Sequence, residues 1–193
     1  MNQGKDRGFR RHGNTKEMKH REALQAAAIH EAGHAAACLQ LDIGFKEVSL
    51  KPGKNGRGFV AAIAHPIVEL LTDGIITAEV EQKSTNLIIM AFAGPVCEAL
   101  HEGRQAFEIA DYADLDPVLD MIEYRFSSNK VRTAFTLYCQ AEAFALFEND
   151  QRLWRYTNLL AREMAKKKSL TYEQCLELYN TEYHVPGWVR REE

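Results

Sequence analysis

Residues 26–41 read AAAIHEAGHAAACLQL, and within them stands His30-Glu31-Ala32-Gly33-His34. On a helix of 3.6 residues per turn, positions four apart share a face, so the imidazoles of His30 and His34 converge on one point. Two neutral ring nitrogens suit zinc. Glu31 projects about 100° round the axis from His30, outside the ligand pair but near enough to take a proton from water held there. At this chain's own residue frequencies the His-Glu-x-x-His pattern arises by chance roughly 0.02 times. Its surroundings favour a helix: Asn14 can cap an onset with Glu17 three residues on, and residues 16–40 contain no proline and one glycine. That glycine, Gly33, costs about 1 kcal/mol relative to alanine in a helix, which implies that something approaches the backbone closely there.

Composition bounds the rest. A chain of 193 residues, 46% hydrophobic and 26% charged, can bury a sizeable core as one domain. The expected division is a basic flexible arm over 1–14 and a single domain over 15–193, with a core at about 26–127 and C-terminal helices at about 130–180. Cys38, Cys97, Cys139 and Cys175 are far apart and form no Cys-x-x-Cys, so they read as reduced core thiols of a cytoplasmic protein. The longest strongly apolar run, 87–93, is far shorter than the roughly 20 residues of a membrane span. Net charge is −3, unevenly spread: the first 21 residues carry +5 and the remainder −8. The arm reads as a solvated tail, its basic residues being the one feature that could touch nucleic acid, anionic lipid or an acidic partner.

Along the chain, 45–52 alternates as a strand, a glycine-rich turn follows, and 59–64 reads as a second strand. The turn is no phosphate loop, because Gly53-Lys54 lacks a following Ser or Thr, and no nucleotide site is visible elsewhere. Helices are expected at 67–72, 78–102 (stopped by Gly103), 114–126, 130–147, 153–166 and 171–179, the last opened by a Thr171/Gln174 capping box. Phe135, Tyr138, Phe144 and Phe147 are expected in the core. The fold class is mainly α with a small β-sheet.

A catalytic zinc site requires a third protein ligand. Spacing leaves two candidates open: Glu98, and the cluster Asp111, Asp114, Asp116 and Asp120, which holds half of the chain's eight aspartates. Asp116-Pro117 also suits a helix start, so capping is the competing explanation of part of that cluster.

The ordered series His30-Glu31-Ala32-Gly33-His34-Ala35, Lys46-Glu47-Val48-Ser49-Leu50-Lys51-Pro52, Gly56-Arg57-Gly58-Phe59, Ala93-Gly94-Pro95-Val96-Cys97-Glu98-Ala99-Leu100 and Asp111-Tyr112-Ala113-Asp114-Leu115 resembles the peptidase domain of the FtsH family, the AAA+ zinc proteases. The resemblance runs over about 26–179. It implies a zincin-like FtsH-type domain with a C-terminal helical bundle, Zn2+ on His30, His34 and Asp114, Glu31 as general base, and a packing or supporting role for Glu98. Departures are Ala93-Gly94 for the family's Gly-Gly, Ala113 for its Asn, and Pro117 within what is a long helix there. No ATPase module accompanies the motifs, so the expectation is a stand-alone, ATP-independent metalloendopeptidase cutting unfolded or flexible segments. Its polypeptide substrate would lie along Phe59, Val60, Ala61 and Ala62. A homo-oligomer, as in the tethered relatives, is compatible with that reading. The alternative is a catalytically silent zinc-binding interaction module of the same fold.

Overall fold

The computed structural model describes residues 14–51, 58–62, 67–105 and 115–183. In order they form α1 (Asn14–Gln40), β1 (Phe45–Ser49), β2 (Phe59–Ala62), α2 (Ile67–Thr72), α3 (Ala78–His101), α4 (Asp116–Arg125), α5 (Asn129–Asn149), α6 (Gln151–Lys167), β3 (Ser169–Thr171) and α7 (Tyr172–Tyr183). The described residues are mostly helical with one three-stranded antiparallel sheet, order β2-β1-β3. The mainly α class with a small sheet is therefore observed.

α1 is the central element. Its first half, from Glu17 to Ala27, is largely exposed, while Ala32, Ala35, Ala36, Ala37 and Cys38 are fully buried. Small side chains on the buried half let α3 and α6 pack closely against it. α3 is capped by Thr77, whose hydroxyl accepts from the Val80 N–H, and ends at Gly103 in the left-handed region (φ +73°). Buried residues of the helices and of β1 and β3 form one contiguous cluster, with Phe92, Leu153, Tyr156, Leu160 and Met164 among its largest members.

Three expectations change in detail. A third strand, β3, pairs with β1 through Val48 and Leu170. Asp116 is the first residue of α4 rather than its cap, Leu115 holds the cap position, and no side chain caps that end. Tyr138, expected in the core, is 49% exposed, whereas Phe147 is buried. The Thr171 capping box forms in both directions: Gln174 Oε1 accepts from the Thr171 N–H, and Thr171 Oγ1 accepts from the Gln174 N–H.

Candidate metal centre

Two glycines let the helices that build the site come close. A methyl group at Gly33 would stand 2.7 Å from the Ala93 carbonyl oxygen and 2.8 Å from Cys97 Sγ, both on α3. That is the close approach implied by a glycine inside α1. From the other side, a methyl group at Gly94 would collide with the His34 ring and reach within 2.8 Å of His30 Nε2. α3 thus presents bare backbone to the two imidazoles, and any larger residue at 94 would fill the space around their nitrogens.

The rings meet at an angle of 78° with centroids 4.8 Å apart, and their Nε2 atoms are separated by 3.1 Å. What lies on the far side of each ring fixes its tautomer. His34 Nδ1 is 2.8 Å from the Met90 carbonyl oxygen, which can only accept, so Nδ1 carries the proton. His30 Nδ1 is 3.1 Å from Glu98 Oε2, and an ionised carboxylate likewise makes it the donor. With both Nδ1 atoms protonated, the two Nε2 atoms, which stand within hydrogen-bonding distance of each other, are the ring nitrogens left to hold a cation. For comparison, two nitrogens bound tetrahedrally to zinc at about 2.0–2.1 Å stand roughly 3.3 Å apart. The pair of ring nitrogens beside Gly94 would suit a divalent zinc-like cation, with Glu98 on the Nδ1 edge of His30, where an orienting carboxylate stands.

Glu31 is 7% exposed and His34 9%. A methyl group at Gly58 would lie 2.8 Å from both Cγ and Oε1 of Glu31 and 2.7 Å from the Ser49 carbonyl oxygen. The Glu31 carboxylate is thus tucked against the backbone that enters β2, where a side chain would displace it. β2 is an edge strand of the three-stranded sheet, paired with β1 on one side, and Phe59, Val60 and Ala61 are partly exposed along it. Ala62 closes the strand.

His30, Glu31, His34, Glu98 and the strand 59–62 are thus brought to one region. Asp114 and Asp111 lie outside the described residues. Asp116 and Asp120 are exposed on α4. Among the described residues no group of three His, Cys, Asp or Glu side chains stands ready to hold a metal ion. Sequence reasoning gave Gly58 and Gly94 only as members of the family-like series, without a place in the site, and missed the Met90 carbonyl altogether. A glycine followed by proline within a helical pattern, Gly94-Pro95, was the available signal for the second of these. A scan against protein-family profiles matches none, and a search of curated proteins finds no match.

Proposed function

We propose that the chain is a zinc-dependent endopeptidase of the FtsH peptidase-domain type, acting on extended, unfolded polypeptide. One observation carries this reading: two imidazole Nε2 atoms 3.1 Å apart, each ring held by a contact at its Nδ1, beside a buried glutamate at the entrance to an edge strand. His30 and His34 hold the cation, and Asp114 completes the protein ligand set. Zinc at that point supplies Lewis acidity, polarising a carbonyl and acidifying water.

The remaining work falls to the chain's own groups. Glu31 accepts the proton of the attacking water as its oxygen bonds to the scissile carbonyl carbon, then returns that proton to the amine nitrogen as the C–N bond breaks. Its shielded position against Gly58 keeps bulk water from competing for that proton. Glu98 and the Met90 carbonyl hold the rings in the tautomer that leaves Nε2 available to the cation. Substrate adds as a further strand to β2 along Phe59, Val60, Ala61 and Ala62, so recognition is chiefly of main-chain hydrogen bonds and specificity is loose. An extended backbone is required for such pairing, and a folded domain does not offer one.

The test is hydrolysis of an unfolded casein by zinc-loaded protein, wild type against Glu31→Gln. Removing the proton acceptor is expected to lower turnover by about 10²–10⁴-fold while zinc content is unchanged. Equal cleavage by the two proteins rejects the mechanism.

A further inference from the structure

The face of α5 turned away from the core is apolar. α5 buries Cys139, Ala143 and Phe147. At 100° per residue the opposite side carries Ala134, Leu137, Tyr138, Ala141 and Ala145, with Val131 at its margin. Leu137 is 58% exposed, Tyr138 49% and Val131 46%, and Ala134 and Ala141 are exposed as well. A helix that is apolar on both sides is one that expects a neighbour on both sides.

The distribution along the helix says what that neighbour is. Positive charge sits in the first turn at Lys130, and exposed negative charge sits in the second half at Glu142 and Glu148. The two large side chains, Leu137 and Tyr138, lie near the middle and are flanked by alanines on either side. Running antiparallel to itself about a centre between residues 139 and 140, the helix sets Ala134 opposite Ala145, lays Tyr138 over Ala141 and brings Lys130 within a residue of Glu148. Parallel pairing would instead stack Tyr138 on Tyr138 and Lys130 on Lys130.

We propose that α5 pairs with α5 of a second copy of this chain, antiparallel, about a two-fold axis near residue 139. Such an isologous contact closes on itself and gives a dimer rather than a ring. It lies on the far side of α5 from the core and does not depend on the metal centre.

Sedimentation velocity of the full chain over a concentration series tests this. The expected species has twice the 21.9 kDa mass of one chain. Leu137→Glu, on an exposed position, is expected to return it to 21.9 kDa with an unchanged far-ultraviolet circular dichroism spectrum. Lys130→Glu alone should weaken the dimer several-fold, and adding Glu148→Lys should restore it, a rescue that a misfolded variant would not show. The four native cysteines are buried, so introduced thiols report geometry: Ala134→Cys with Ala145→Cys should cross-link between chains, and Ala134→Cys alone should not. A monomer at every concentration, a dimer indifferent to Leu137→Glu, a larger assembly, or cross-linking through Ala134→Cys alone each overturns the proposal.

Discussion

Glu98 is the residue at which chemistry and geometry separate two roles. Its carboxylate holds His30 at Nδ1, the nitrogen that faces away from His34, so in the proposed site it would orient the ring instead of joining Nε2 on a cation. Orienting carboxylates of this kind contribute about 10–100-fold to metal affinity. Glu98→Ala is therefore expected to weaken zinc binding by about that factor in a chelator competition while leaving one site per chain. Complete loss of binding would make Glu98 a ligand, and unchanged affinity would remove it from the site. The motif from His30 to His34 was legible because helical spacing alone places its two imidazoles on one face. Gly58 and Gly94 stood out only as members of the motif series and, for Gly94, by the proline after it, since their importance is the lack of a side chain in a space defined by residues 27 and 60 positions away in sequence.

Asp150 shows how a single acid joins elements. It caps α6, accepting from the backbone N–H groups of Arg152 and Leu153, and its second oxygen accepts from the Tyr183 hydroxyl of α7. Burial opposes the charged carboxylate, but the Tyr183 bond and the two backbone bonds outweigh it and hold the pKa below the ordinary value. A carboxyl depressed in the folded state stabilises the protein above its unfolded pKa, about 3.9, and loses that contribution as pH falls through the lower folded value. Asp150→Ala should cost about 1 kcal/mol in denaturant unfolding at pH 7. The difference between variant and parent should begin to shrink as pH falls below the unfolded value of about 3.9, and a difference independent of pH would show that the charge is not what matters. Elements with strong local signals were read well from the sequence: 67–72 was expected and Ile67–Thr72 is found, and α3 departs by a single residue at its end. β3 escaped because three residues carry no usable alternation, and its partner strand lies about 120 residues earlier. α5 misled in a different way. With apolar residues on both faces, periodicity cannot say which face is core, and Tyr138 was assigned to the wrong one.

At the scale of the molecule, one core ties the candidate metal centre to the rest. α1 brings His30, Glu31 and His34 into it, α3 supplies Met90, Gly94 and Glu98, and the sheet closes over Glu31 through Gly58. Burial also pushes the thiols of Cys38, Cys139 and Cys175 up to about 12 and that of Cys97 well above its usual value, so these groups pack into the core as protonated thiols. Everything proposed about hydrolysis rests on the two rings sharing one cation. The most direct measurement is zinc stoichiometry by elemental analysis after metal loading and removal of excess ion, for the parent, His30→Ala, His34→Ala and Glu31→Gln. One zinc per chain in the parent and in Glu31→Gln, with loss in each histidine variant and all four proteins equally helical, is the expected result. Retention of a full equivalent by either histidine variant, or none in the parent, contradicts it.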